Sequence, residues 1–263
     1  MARAIWKGVL KIGSTTLPVK LFSAVEDRTV HFHLLEKRTL TRVKQRLVDP
    51  DSGNEVPASE VRKGYEVEPG TFVLLDEKDL AELEPEESRD IDVTSFVNAG
   101  AINQQWYERP YYLGPDGDHA TDYFALAAAM EKRECEGVAR WVMRKSEYLG
   151  ALAPKDGYLM LITLRHAEEV LSATELPPLT GKALDPKERA VAQQLVAALE
   201  EEFKPEEFHD EYRERVMKLI ESKARGEKSR FKVVPRKRKE GSLSDMLAAS
   251  LKAVKSQKGK AAA

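Results

Sequence analysis

Cysteine is almost absent from this sequence: the chain of 263 residues contains one, Cys135. A single thiol excludes an internal disulfide and is typical of a protein that folds in a reducing compartment. We predict that Cys135 is a small core residue and that the protein's stability rests on packing.

Long hydrophobic runs are also missing. No stretch reaches the roughly 18 apolar residues that a membrane span needs. The N-terminal residues have neither the apolar segment nor the cleavage site of an export signal. With 42% hydrophobic and 33% charged residues, the composition is that of a globular protein with a real core. We expect a cytoplasmic, nucleoid-associated protein with no membrane partner.

Common catalytic motifs are lacking. The chain has no G-x-x-x-x-G-K, G-x-G-x-x-G, G-x-S-x-G or H-E-x-x-H sequence, and Gly181-Lys182 lacks the earlier glycine of a phosphate-binding loop. These absences favour a binding protein without cofactors over an enzyme. The enzyme alternative, a nuclease or ligase accessory with hidden catalysis, would require turnover with metal or ATP.

Metal-ligand patterns are weak as well. His31 and His33 flank Phe32, with no cysteine or patterned carboxylate nearby. Residues 76–92 hold nine carboxylates, but Pro85 interrupts them, which favours a solvated loop and helix face. We predict that the protein holds no metal ion.

What the sequence does contain is a division of charge. Residues 223–263 carry 13 Lys and Arg against three acidic residues, while the whole chain has a net charge of −2. The first 222 residues are therefore strongly acidic. A basic tail on an acidic body indicates either a polyanion partner or a solubilising appendage.

Hydrophobic periodicity changes along the chain. Period-two or continuous apolar patterns predict strands, and period-four patterns predict helices. The order of strands followed by helices indicates an α+β fold. Strands are predicted at 17–24, 71–75, 91–97, 138–143 and 158–164, and helices at 122–134, 191–203 and, with Pro205 near its first turn and Gly226 past its end, 208–220.

The most informative short stretch is basic. Residues 37–46 include Lys37, Arg38, Arg42, Lys44 and Arg46 and no acidic residue. As a strand, residues 41–47 would place the last three bases on one face, where they would repel one another unless anions lie nearby. A DNA backbone supplies such anions. The alternative is an edge strand whose charges prevent aggregation.

A second basic row lies at 138–145. If Trp141 and Met143 are buried, Arg140 and Arg144 point outward, followed by Lys145. Ordinary surface arginines explain this row nearly as well as DNA contact does. Neither row has interleaved aromatic residues, so phosphate contact without base recognition is the favoured interaction.

The C-terminal tail combines two patterns. Its composition is typical of a partly disordered extension. Arg236, Lys237, Arg238 and Lys239 form a further candidate DNA contact, and a leucine stripe follows in a short amphipathic helix predicted at 242–254. Such a stripe is typical of a helix that binds a partner's groove, although folding back onto the core is the alternative. The stripe comprises Leu243, Met246, Leu247 and Leu251.

Several segments in this order resemble one known family. The opening of the chain, a tyrosine-rich segment and the spacing of Phe203 and Tyr212 are similar to those of prokaryotic Ku proteins. The matching segments are Arg3-Ala4-Ile5-Trp6-Lys7-Gly8, Leu17-Pro18-Val19-Lys20-Leu21-Phe22-Ser23-Ala24, His31-Phe32-His33-Leu34-Leu35, Lys63-Gly64-Tyr65-Glu66, Tyr107-Glu108-Arg109-Pro110-Tyr111-Tyr112-Leu113 and Phe208-His209-Asp210.

This resemblance implies a β-barrel core with a strand-rich bridge, which we place at 1–185. The change of periodicity and the charge add a helical arm at 186–225 and a basic tail at 226–263. The resemblance also implies a ring-shaped homodimer threaded by double-stranded DNA ends, a role in non-homologous end joining, and recruitment of the ATP-dependent ligase D. One departure is visible: many relatives carry Cys-x-x-Cys where this chain has a turn at 48–53. The alternative function is that of a general chromatin-type architectural protein that binds DNA through its tail.

Overall fold

The computed structural model describes residues 3–177 and 185–226. The chain divides into two compact units, Met1–Glu175 and Leu176–Ala263. Nine strands lie in the first unit: β1 Trp6–Ile12, β2 Thr15–Ser23, β3 Lys63–Glu68, β4 Thr71–Leu75, β5 Asp90–Asn98, β6 Tyr107–Pro115, β7 Cys135–Met143, β8 Ser146–Lys155 and β9 Tyr158–Leu164.

Seven of these strands close into a barrel in the order β1-β2-β6-β9-β8-β7-β5. Neighbouring strands are antiparallel except at the closing pair, where β1 runs parallel to β5. The expected β-barrel core is therefore confirmed. The other two strands, β3 and β4, form a separate antiparallel hairpin.

Alternation along the strands builds the barrel core, because successive side chains point to opposite faces. Leu17, Val19 and Leu21 of β2 point inward and are buried. Trp141 and Met143 of β7 are buried as predicted. Trp141 stacks on Tyr148 with ring centroids 5.4 Å apart.

Helix α2, Ala120–Lys132, packs against the barrel strands. Its buried Tyr123 donates a hydrogen bond to the Leu113 carbonyl oxygen at 2.5 Å and accepts one from the Leu159 amide at 2.7 Å. Burial raises the pKa of the Tyr123 hydroxyl to about 12. Cys135 is half-buried beside this helix, and its thiol donates to the Met130 carbonyl oxygen.

The residues between β2 and β5, 24–89, are here called the excursion. They contain the β3–β4 hairpin and the short helix α1, Glu77–Glu82. No side chain between residues 24 and 89 is buried, although the segment has many large apolar residues. The excursion therefore contributes nothing to the barrel core.

The second unit contains helices α3, Pro186–Leu199, and α4, Glu211–Ala224. Helix α4 begins later than predicted, because Pro205 opens a separate 3₁₀ turn over Pro205–Glu207. Asp210 then caps α4 by accepting a hydrogen bond from the Arg213 amide at 2.9 Å. Gly226 follows the end of α4 with a φ of 75°, as its position in the sequence predicted.

Candidate nucleic-acid interface

The first basic group lies at the surface of the excursion. Lys37 and Arg38 occupy a turn closed by hydrogen bonds between Glu36 and Thr41 and between Leu40 and Glu36, all within 2.9 Å. Arg42 pairs with Leu35 in an isolated antiparallel bridge. Lys44 and Arg46 continue the chain into a second turn, at 47–56.

Residues 41–47 do not form the strand that a single basic face would require. Beyond the bridge at Arg42 and one hydrogen bond from Val43 to Leu34, this stretch has no neighbouring strand among the described residues. Val43 and Leu47 are exposed, like the bases between them. Alternation of residue types predicts a strand only where a neighbour pairs with the backbone and one face is covered.

The bases of this group differ in their ionic environment. Arg46 donates a hydrogen bond to the Glu55 carboxylate across the second turn. Lys37, Arg38, Arg42 and Lys44 form no ion pair with any residue that the structure describes. Four solvated cations within eight residues make this the part of the excursion best suited to phosphate contact.

The second turn, at 47–56, is held by hydrogen bonds to Asp49. The Asp49 carboxylate accepts hydrogen bonds from the amides of Asp51 at 3.0 Å and Ser52 at 2.7 Å. These amides, that of Ser52 first, lower the pKa of Asp49. Gly53 adopts a φ of 69°, which favours glycine. Within 3–177 and 185–226, no group of three His, Cys, Asp or Glu side chains could hold a metal.

The second basic group is divided between a strand and a turn. Arg140 lies on the outer face of β7, as predicted, opposite Asp92 of β5. Its guanidinium lies 3.8 Å from the Glu147 carboxylate of β8. Arg140 is thus partly neutralised from within the barrel.

Arg144 is not on the strand face where the sequence placed it. With Lys145 it forms the two-residue turn between β7 and β8, and both have positive φ, 52° and 65°. Turns of this kind favour Asn-Gly or Asp-Gly. The next hairpin, between β8 and β9, has that favoured pair in Asp156-Gly157.

A recess of about 270 Å³ lies beside this turn and is lined by Trp6, Arg89, Arg144 and Lys145, among others. The Lys145 ammonium lies 2.8 Å from a Glu84 carboxylate oxygen, and Glu84 raises the pKa of Lys145. The sequence analysis missed both Arg89 and Glu84. Each lies more than 50 residues from the turn, and no local pattern indicates that they meet it.

The remaining candidates lie in the tail. The basic run Arg236, Lys237, Arg238 and Lys239 and the stripe of Leu243, Met246, Leu247 and Leu251 fall outside the described residues. They stay predictions from sequence.

Comparison with known proteins places the chain in a family. The sequence model described as the Ku70/Ku80 beta-barrel domain matches residues 11–197, a region that contains the end of β1, the other six barrel strands and the excursion. The chain belongs to the Ku family. The resemblance noted in the sequence is therefore confirmed.

Individual Ku relatives match over most of their length. A protein of Coxiella burnetii named non-homologous end joining protein Ku is 36% identical over 226 residues, which cover 84% of this chain and 82% of the relative. A protein of the same name from Archaeoglobus fulgidus is 36% identical over 255 residues, or 96% of this chain and 100% of the relative. A protein of Geotalea uraniireducens named non-homologous end joining protein Ku 2 is 38% identical over 224 residues.

No described helix is long and apolar enough to cross a membrane.

Proposed function

We propose that this Ku-family chain binds the ends of double-stranded DNA, independently of sequence, as a ring-shaped homodimer in non-homologous end joining. Family membership and the names of its relatives support the repair process. One observation supports the DNA contact most directly. Among the described residues, no ionic partner is found for Lys37, Arg38, Arg42 and Lys44. We assign a supporting role to Arg46, Arg140, Arg144 and Lys145.

The exposed apolar surface of the excursion supports the homodimer. Phe32, Leu34, Leu40, Phe72 and Leu74 are each more than half exposed. A two-stranded hairpin is marginally stable alone in water, and large apolar side chains left exposed in this number are typical of a segment that a partner covers. A second copy would cover this surface symmetrically and place the two basic groups around one duplex.

The tail supports recruitment of ligase D. Its leucine stripe is too short to form a stable helix alone, since isolated helices under about 12–15 residues are marginal in water. A groove in the ligase would bury the stripe. Arg236, Lys237, Arg238 and Lys239 would add a sequence-independent contact to DNA.

The proposed role is binding without catalysis and without a cofactor. Phosphates look alike in every sequence, so a protein that contacts only the backbone needs no base-reading element. A closed path around the duplex then supplies the selectivity for ends, because DNA must thread into it.

A binding assay with matched DNA tests the proposal. A blunt-ended linear duplex and the same sequence as a covalently closed circle should differ strongly in affinity, with the linear form preferred. Blocking both ends of the linear duplex with bulky groups should abolish the preference. Equal affinity for linear and circular DNA would instead support an architectural protein that binds through its basic tail.

A further inference from the structure

The recess beside the β7–β8 turn is bordered by two segments that are far apart in the sequence. One border is the last part of the excursion, with Glu87, Ser88 and Arg89. The other is the turn itself, with Arg144 and Lys145. The volume of about 270 Å³ lies below the roughly 300–1,000 Å³ of pockets for drug-sized ligands. The recess therefore suits one small group of a larger molecule.

The first border of the recess is fixed to the barrel. The Arg89 carbonyl oxygen accepts a hydrogen bond from the Val9 amide of β1 at 2.8 Å. Gly8 permits this contact, because a Cβ atom there would lie 2.6 Å from that oxygen and 2.3 Å from the ring of Trp6. Trp6 also lines the recess. The Arg89 backbone is thus held in place before any ligand binds, which lowers the entropy lost on binding.

The second border is a turn whose residues do not favour its backbone conformation. Arg144 and Lys145 both have positive φ, 52° and 65°. This region is unfavourable for residues with a Cβ atom, and Asn-Gly would suit the turn better. Backbone strain of this kind is concentrated at binding and catalytic sites. The turn places two cations beside the recess at a cost in stability, which indicates a binding role for them.

The bases around the recess outnumber the carboxylates. Lys145 lies 2.8 Å from a Glu84 carboxylate oxygen, and the hydrogen bond to Glu84, followed by the charges of Glu84 and Glu87, raises the pKa of Lys145. Both carboxylates therefore act mainly on Lys145. In the part of the chain that the structure describes, no ion pair is found for Arg89 or Arg144. These two guanidinium groups are available to an anion.

The donors around the recess match the chemistry of phosphate. A guanidinium group presents a planar fork of N–H donors that fits two phosphate oxygens at once. The Ser88 hydroxyl accepts a hydrogen bond from the Asp90 amide at 3.0 Å, and a hydroxyl can still donate one. We propose that this recess binds one phosphate group of a DNA strand, with Arg89 and Arg144 as its ligands. This inference rests on the proposed binding of DNA and adds a discrete site to it.

Salt titrations of linear duplex binding to the full chain test the site. Arg89→Gln with Arg144→Gln removes both ligands. If the two arginines share one phosphate, the slope of log affinity against log salt should flatten by about 0.9, which corresponds to about eight-fold weaker binding in about 0.1 M salt. Arg89→Gln alone should produce part of this loss. A slope that flattens by about 1.8 would mean two separate phosphates and would overturn the shared site.

Arg133→Gln is the matched control. It removes the same charge from an exposed arginine that follows helix α2 and does not line the recess, so the slope should not change. Circular dichroism should show all variants folded, because the three arginines are exposed. An unchanged slope in the double variant, or an equal loss in the control, would overturn the phosphate site. A preference for linear over circular DNA that persists beside an unchanged slope would leave the proposed end binding intact.

Two duplexes of one sequence distinguish the possible sources of the phosphate. One carries 5′-terminal phosphates and the other 5′-hydroxyl groups. A backbone phosphate in the recess predicts that the double variant loses the same affinity for both duplexes. A terminal phosphate predicts a loss for the phosphorylated duplex alone. Either result supports the site, and full affinity for both duplexes would overturn it.

Discussion

Arg46 and Glu55 form an ion pair across the turn at residues 47–56, so one base of the candidate DNA-contacting group is already held by a carboxylate. Arg140 pairs in the same way with Glu147 on the barrel, and Lys145 of the β7–β8 turn pairs with Glu84 of the excursion. Glu84 is 36% exposed and the other five groups are more than half exposed, and exposed pairs contribute at most about 1 kcal/mol to stability. We therefore expect the glutamates to affect the proposed DNA binding more than folding, because phosphate has to displace them.

Removing Glu55 should strengthen DNA binding. Glu55→Gln keeps the size of the side chain and frees Arg46 for phosphate. The slope of log affinity against log salt should steepen by up to about 0.9, the value for one additional neutralised phosphate. Glu60→Gln is the control. The Glu60 carboxylate is exposed and forms no ion pair with a described residue, so this substitution should leave the slope unchanged. A Glu55→Gln slope equal to the control's would mean that Arg46 does not face DNA.

Removing the unpaired bases should have the opposite effect. Arg42→Ala with Lys44→Ala should weaken binding to every sequence equally and flatten the salt slope by about 1.8, for two lost phosphate contacts. Melting temperature should hardly change, because neither side chain is buried. Salt titrations of linear duplex binding check the slope; a folded variant with an unaltered slope would show that these two bases do not contact DNA.

Substitutions in the turn between β7 and β8 should raise stability and weaken DNA binding. Arg144→Asn with Lys145→Gly introduces the residues that its positive φ angles favour, and we expect about 1 kcal/mol of added stability. DNA binding should weaken, since two cations beside the recess are lost. Chemical unfolding and duplex binding measure the two effects. Glu84→Gln, which keeps the turn and frees Lys145, should not weaken binding.

The hydroxyl of Tyr123 should matter for stability. Tyr123→Phe leaves the buried Leu113 carbonyl and Leu159 amide without that partner, which should cost about 2 kcal/mol. The melting temperature should fall by roughly 4–8 °C. Tyr112→Phe, on the same barrel but 38% exposed, is the control and should melt like the unsubstituted protein. Equal melting of both variants would contradict the role given to this hydroxyl.

The leucine stripe should be needed for ligase stimulation. Leu247→Asp keeps every positive charge of the tail but opposes burial of the stripe, so stimulation of ligase D should be lost while end binding remains. Truncation after Gly241 should have the same effect on ligation. Full stimulation by the truncated chain would place the ligase contact elsewhere on the protein.

The sequence predicted those parts of the fold that local patterns determine. The alternation from Ile91 to Val97 and the apolar run from Tyr158 to Leu164 became barrel strands because neighbours pair with them on both sides. The same type of alternation failed at 41–47, where one short bridge is the described partner. Periodicity reports which face a strand would bury, but pairing decides whether the strand forms.

Ion pairs between segments that are far apart in the chain could not be predicted from the sequence. Glu84 meets Lys145 across 61 positions, and nothing near either residue indicates the pair. The turn conformation of Arg144 was also missed, because the alternation of β7 continues in the sequence past the point where the strand ends. The bases themselves were identifiable from composition, whereas their partners required the fold.

No side chain between residues 24 and 89 is buried, and this affects how the sequence can change during evolution. Substitutions in the excursion remove no contact from the barrel core, so this surface can change under selection for its partners alone. The hydrogen-bonded turn at Asp49, for example, can change without any adjustment of the seven barrel strands. The proposed DNA contacts at 37–46 can therefore change without disturbing the barrel core.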